Sequence, residues 1–180
     1  MPEGLRPYAA KLRTPFAVLG VRTDGRAVTR LAYLPRDERP QPPADAVAER
    51  AVRELLRYLD DPQYRFTVPL APGGTPFQQR VWDALAGIPP GQSRTYGEVA
   101  RAVRSAPRAV GQACGANRIA LIIPCHRVVG AMGALGGFMG SGGPAASAHR
   151  RGPQPGDDGG RDPIAIKRWL LVHEGYRFGA

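Results

Sequence analysis

Twice in a short stretch this chain writes the same helix start. Thr75-Pro76-Phe77-Gln78 supplies an N-cap hydroxyl, a first-turn proline and a glutamine placed to reach back, and Thr95-Tyr96-Gly97-Glu98 repeats the box with a glutamate. The first box predicts a helix to about Ala86, burying Phe77, Val81, Trp82 and Leu85 and ended by Gly87. Ile88-Pro-Pro-Gly91 reads as a turn. The second box opens a helix through Arg104, Ser105-Ala106-Pro107 breaks the chain, and a third helix follows from Pro107 to about Ala116. Two short helices across so tight a turn make a helix-turn-helix.

Upstream the pattern changes. Phe16–Arg22 and Ala27–Tyr33 are β-prone runs flanking Asp24-Gly25, a hairpin signal. A proline-rich link leads to 44–60, where Val52, Leu55, Leu56 and Leu59 recur at helical spacing, and Tyr64–Leu70 reads as a further strand. Ala71-Pro-Gly-Gly74 marks a boundary. Downstream, Met139–Asp162 is rich in Gly, Pro, Ala and Ser and reads as a flexible loop. Asp162-Pro163 then caps a last helix, with Ile166, Trp169, Leu170 and His173 on one face, Glu174 closing it and Gly175 as its C-cap.

The formal charge is +10, carried almost wholly by arginine, since Lys11 and Lys167 are the only lysines. Between Phe77 and Phe138 lie seven arginines against two acids, Asp83 and Glu98. That suits a polyanionic partner, although a GC-rich genome also inflates arginine. No secretory signal and no run of about 18 apolar residues is evident, so the expected location is the cytoplasm, where Cys114 and Cys125 stay reduced. The three histidines and two cysteines lack metal-ligand spacing, and neither metal nor cofactor is expected.

Chemistry concentrates at Pro124-Cys125-His126-Arg127-Val128. A thiolate is the nucleophile, and a free thiol near pKa 8.5 needs a base or a positive neighbourhood, which His126 and Arg127 offer. Pro124 holds Ile123 extended at the end of the β-prone run Ile119–Ile123. In an extended segment His126 and Cys125 point to opposite faces, so His126 acts through a bend or a water. The alternative is a buried, inert cysteine. The helix Arg108-Ala-Val-Gly-Gln-Ala-Cys-Gly-Ala116 is rich in small residues, so it can approach a backbone closely yet read little sequence. A core helix packed through its small face is the other reading. A nucleophile acting on a base in duplex DNA needs that base flipped out, and Tyr96 and Arg108, at the two helix starts, suit the turning and gap-filling roles.

Taken in order, Thr75-Pro-Phe-Gln-Gln-Arg-Val-Trp82, Ile88-Pro-Pro-Gly91, Tyr96-Gly-Glu-Val-Ala100, Arg108-Ala-Val-Gly111, Asn117, Pro124-Cys-His-Arg-Val128, Gly136-Gly-Phe138 and Leu170-Leu-Val-His-Glu-Gly175 closely resemble the O6-alkylguanine-DNA alkyltransferases, the methylated-DNA–protein-cysteine methyltransferases. The likeness spans about Thr75 to Tyr176 and more loosely the N-terminal part. It implies an α/β N-terminal domain of ribonuclease H-like type over 1–70, a linker over 71–76, and a mainly α C-terminal domain over 77–180 with a winged helix-turn-helix-like unit. It implies single-turnover transfer of an alkyl group from O6-alkylguanine, with O4-alkylthymine a further candidate, in double-stranded DNA to Cys125. Glu174 would orient His126, which would hold the thiolate through a water. Tyr96 would turn the nucleotide, Arg108 replace the base, and Asn117 tie the helix-turn-helix to the active-site turn. Arg94, Gln112, Ala113, Gly115 and Arg118 would contact DNA, and Val128, Phe138 and Met139 would line the guanine pocket. The chain would act as a monomer.

Two departures from the family pattern stand out. Arg118 occupies the usual proline position after Asn117, which implies either a looser turn or an extra phosphate contact. About twenty extra residues also separate Phe138 from the last helix, either a tolerated surface insertion or, alternatively, a lid or a DNA-contacting arm through Arg150, Arg151 and Arg161. Competing functions are a lesion-binding protein, whose relatives lack the cysteine, a helix-turn-helix regulator and a cysteine hydrolase.

Overall fold

The structure, a computed structural model, describes residues 7–138 and 162–178. Met139, Gly140, Arg150, Arg151 and Arg161, with nearly all of the expected insertion, lie outside the described residues. The chain forms two compact units, one ending at Pro72 and the next beginning at Gly73. Among the described residues no helix is long and apolar enough to cross a membrane.

The first unit is a three-stranded antiparallel sheet carrying one helix. Strands β1 (Ala10–Arg13), β2 (Val18–Thr23) and β3 (Val28–Leu34) lie in that order. The β2–β3 turn is the expected Asp24-Gly25. Asp24 Oδ1 accepts from the backbone N–H groups of Arg26 and Ala27, both at 2.8 Å, while Gly25 takes φ +86°. Helix α1 (Ala46–Asp60) is capped by Asp45, whose carboxylate accepts from Ala48 N.

Two expectations are corrected in this unit. Helix α1 buries Ala48, Ala51, Leu55 and Tyr58, whereas Leu56 is exposed and Val52 and Leu59 are only half-buried. Alanines let the helix approach the sheet closely, a face that counting large side chains misses. Tyr64–Leu70 is no strand: it makes a single bridge, Val28 to Leu70. The buried Glu54 takes its donors instead, accepting from Thr67 N at 2.7 Å and Val68 N at 3.0 Å, and Pro69 brings none.

The second unit begins with α2 (Pro76–Ala86), a two-residue strand β4 (Arg94–Thr95), α3 (Tyr96–Ala102) and α4 (Pro107–Gly115). Both capping boxes form: Thr75 and Gln78 serve each other's backbone N–H at 3.2 and 2.9 Å, and Thr95 and Glu98 do so at 3.2 and 2.7 Å. Each contributes about 1 kcal/mol. Helix α3 stops two residues early, because Arg104 turns left-handed at φ +53°. Trp82 Nε1 donates to Ala113 O at 2.9 Å and pins α2 to α4. Strand β5 (Val128–Val129) pairs parallel with β4, Thr95 opposite Val129, and α5 (Pro163–His173) is capped by Asp162.

The buried face of α5 also differs from expectation. It is Ile166, Lys167, Leu170 and Leu171, whereas Trp169 and His173 are half-buried and stack on each other at 4.8 Å.

Candidate active site

The site is built on a turn where a strand was expected. Asn117 Nδ2 donates to Ile123 O and Asn117 Oδ1 accepts from Ile119 N, both at 2.9 Å, so one side-chain amide closes the loop that a partner strand would otherwise hold. Ile123 N donates to Ile119 O at 3.0 Å, and Leu121 sits at φ +96°. For leucine that conformation costs on the order of 1–3 kcal/mol, and burial of the apolar run offsets it. The chain then enters a 3-10 turn, Cys125–Arg127, rather than continuing extended.

Behind the turn stands Glu174. His126 Nε2 donates to its Oε1 at 2.8 Å, while Arg127 presents a fork, Nε to Oε2 at 3.0 Å and Nη2 to Oε1 at 2.8 Å. All three residues are buried. Arg127 Nη1 also donates to Ile88 O. The Ile88–Gly91 turn lies against the end of α5, where a Cβ on Gly91 would meet Glu174 O at 2.7 Å. Burial raises the Glu174 carboxyl, yet the hydrogen bonds and charges of His126 and Arg127 outweigh it and hold the group down at about 2. An ionised carboxylate only accepts, so Nε2 carries the imidazole proton. Nδ1 is left as a buried lone pair that makes no hydrogen bond to any described residue. Burial keeps the ring neutral by lowering its pKa, against the pull of Glu174.

Cys125 is 3% exposed. Burial pushes its thiol up to about 11, while a hydrogen bond with the Asn117 side chain and the charge of Lys167 pull the other way. The resting thiol therefore needs a specific proton acceptor.

Sequence reading missed Lys167. It is fully buried, and its Nζ donates to Val128 O at 2.6 Å and Gly137 O at 3.0 Å and lies 5.9 Å from the Tyr96 ring centroid. Burial lowers the ammonium to about 8, partly opposed by the neighbouring Cys125 and Cys114. The signal was present as spacing, because Lys167 and Glu174 lie seven apart on one helical face. Arg127 was noticed only as a positive neighbour, not as the clamp on Glu174.

Tyr96, half-buried, donates its hydroxyl to Gly137 O at 3.3 Å, and burial pushes the phenol up, so it remains a donor. Gly136, at φ +62°, passes so close that a Cβ would lie 3.1 Å from Tyr96 Cε2. Cys125, His126, Glu174, Asn117 and Tyr96 thus converge with Lys167. Val128 and Phe138 are buried nearby in the chain, at 0% and 3% exposure. Arg94, Arg108, Gln112, Gly115 and Arg118 are exposed. Ala113 is not: it is buried, because its segment of α4 packs on α2 through the Trp82 bond, so it is removed from the expected DNA contacts. Among the described residues no group of three His, Cys, Asp or Glu is placed to hold a metal ion.

A buried cysteine, histidine and glutamate beside a pair of short helices make a cysteine-centred site. The family described as 6-O-methylguanine DNA methyltransferase, DNA binding domain, matches residues 76–176. A methylated-DNA–protein-cysteine methyltransferase of Methanosarcina mazei is 38% identical over 138 residues, which are 73% of this chain and 87% of the relative. One from Mycobacterium tuberculosis is 41% identical over 133 residues, 71% of this chain and 81% of the relative. Among solved structures, Mycobacterium tuberculosis OGT in complex with DNA superposes with a TM-score of 0.70 at 36% identity, covering 91% of this chain and 90% of that one. The chain belongs to the methylated-DNA–protein-cysteine methyltransferase family.

Proposed function

We propose that this protein repairs O6-alkylguanine in double-stranded DNA by moving the alkyl group, once, to Cys125. The observation that carries the reading is the ionised Glu174 bound to His126 Nε2, which leaves Nδ1 as a lone pair in a buried site beside a thiol that needs an acceptor. His126 takes the Cys125 proton through one water, and Asn117 and Lys167 hold the thiolate. The sulfur attacks the alkyl carbon in line, the carbon–oxygen bond breaks, and the electron pair leaves on guanine O6. Tyr96 donates a proton or hydrogen bond to the departing base. The product is a thioether, which no group in the site can hydrolyse, so each molecule acts once.

Helices α3 and α4 with the β4–β5 pair form a winged helix-turn-helix-like unit, following a ribonuclease H-like domain over 1–70 and a linker. Arg108 fills the place of the extruded nucleotide, and Arg94, Gln112, Gly115 and Arg118 contact the duplex. Val128 and Phe138 wall the base pocket. The chain works as a monomer in the cytoplasm without a cofactor. Stoichiometry tests the reading: with excess O6-methylguanine duplex, methyl groups lost should plateau at one per protein molecule. Continued turnover would sink it.

A further inference from the structure

A pocket of about 220 Å³ opens on the first unit, lined by Arg50, Arg53, Glu54, Arg57, Tyr64 and Thr67. Drug-sized ligands fill roughly 300 Å³ or more, so this space suits a small group. Three guanidiniums share it. Standing three and four residues apart on α1, they lie on one helix face, where like charges repel.

Glu54 compensates only one of them. Its Oε1 accepts from Arg50 Nε at 3.0 Å and from Thr67 Oγ1 at 2.7 Å, and its Oε2 from the backbone N–H groups of Thr67 and Val68. Burial raises that carboxyl, but the hydrogen bonds from Thr67, Arg50 and Val68 outweigh it and keep the group charged. Arg50 Nη2 also donates to Thr67 O and Oγ1, both at 2.8 Å, so this guanidinium is fixed in place at the pocket wall. Arg53 reaches Glu49 at 3.8 Å, too far for a hydrogen bond, and both side chains are exposed. Arg57 lies 5.8 Å from the Tyr64 ring centroid and forms no ion pair among the described residues. Two guanidiniums therefore border the pocket without a firm anionic partner.

We propose that this pocket binds a doubly charged phosphate group, as inorganic phosphate or a phosphomonoester, between Arg53 and Arg57 and beside the fixed Arg50. Such a group carries a charge of about −1.5 to −2 and three acceptor oxygens, which matches two uncompensated guanidiniums. A carboxylate or a backbone phosphodiester brings a single charge and leaves one guanidinium unmatched. Planar guanidinium N–H groups suit phosphate oxygens, and holding Arg50 in place beforehand lowers the ordering cost of binding. The site belongs to the first unit alone and does not rest on the repair reading above.

The test follows the Thr67 backbone amide of the full chain by NMR while sodium phosphate replaces sodium chloride at constant ionic strength and about pH 7.5. Thr67 lines the pocket, so its shift reports this site rather than anion binding elsewhere. The amide should move and saturate. Arg53→Gln and Arg57→Gln should each raise the half-saturating concentration about fivefold. Arg26→Gln, which removes the same charge from the exposed hairpin turn, should change it by less than about twofold. Both pocket variants alter exposed side chains and should melt with the parent, whereas Arg50 supports Glu54 and is left unchanged. Dimethyl phosphate, a singly charged diester, should bind about fivefold more weakly than inorganic phosphate. A shift that never saturates, or one weakened as much by Arg26→Gln as by the pocket variants, means solvated arginines and overturns the proposal. Equal binding of dimethyl phosphate overturns it too. Adenosine 5′-monophosphate distinguishes the sources: binding as tight as inorganic phosphate supports an esterified ligand, and exclusion supports free phosphate.

Discussion

Replacing Glu174 by glutamine should cost far more than the loss of one hydrogen bond. Among the described residues the carboxylate faces the buried Arg127 fork, with contacts of 2.8 and 3.0 Å, and it also accepts a hydrogen bond from His126. Removing one partner of a buried pair and stranding the other costs about 3–5 kcal/mol. The lowered pKa of the Glu174 carboxyl has the same sign, since the fold favours its charged form. The assay is urea unfolding at pH 7 of the parent, Glu174→Gln, Arg127→Met and the double variant. Once both partners are gone no charge is stranded, so the double variant should lose at least about 2 kcal/mol less than the sum of the singles. The pH dependence has a definite sign. A depressed carboxyl stabilises the fold fully above about 4.5 and loses that contribution as pH falls toward 2. His126, kept neutral by burial, adds to the same acid limb as pH falls below about 6.5. Additivity within about 0.5 kcal/mol, or stability unchanged between pH 5 and 2, would refute the buried clamp.

Tyr96→Ala should reduce methyl transfer from duplex DNA by at least about 100-fold, on the scale of losing one acid–base group, while duplex affinity changes only a few-fold. Equal losses in the two measurements would contradict its part in turning the base. Lys167→Met and Asn117→Ala each remove a group that lowers the Cys125 thiol, so the pH profile of Cys125 modification by iodoacetamide should move upward in both. A profile that stays put would mean neither side chain supports the thiolate.

Helix starts were legible in the residues themselves. Thr75, Gln78, Thr95, Glu98, Asp162 and Pro163 all act locally, within one turn of the chain they begin, and the hairpin at Asp24-Gly25 is equally local. Elements whose hydrogen-bond partners come from afar were not legible. Thr67 and Val68 give their N–H groups to Glu54 instead of a strand, and the apolar run Ile119–Ile123 is bent by one asparagine amide. β-Propensity cannot register such captures, because it scores side chains rather than the partners of the backbone. The same distinction holds in the site. Cys125, His126, Asn117, Tyr96 and Glu174 lie within recognisable motifs, whereas Lys167 sits in a stripe whose neighbours read simply as core, and its role depends on carbonyls 39 and 30 residues away. Ala113 was expected at the duplex, yet it is buried in α4 with its carbonyl bound by Trp82.

The most direct test of the central claim is peptide mapping after reaction. The protein is incubated with duplex DNA containing a single O6-methylguanine, digested, and weighed peptide by peptide. Cys125 should gain one methyl group in proportion to the guanine restored, and Cys125→Ser should restore none. A methyl group on Cys114 or elsewhere, or repair by Cys125→Ser, would contradict the account.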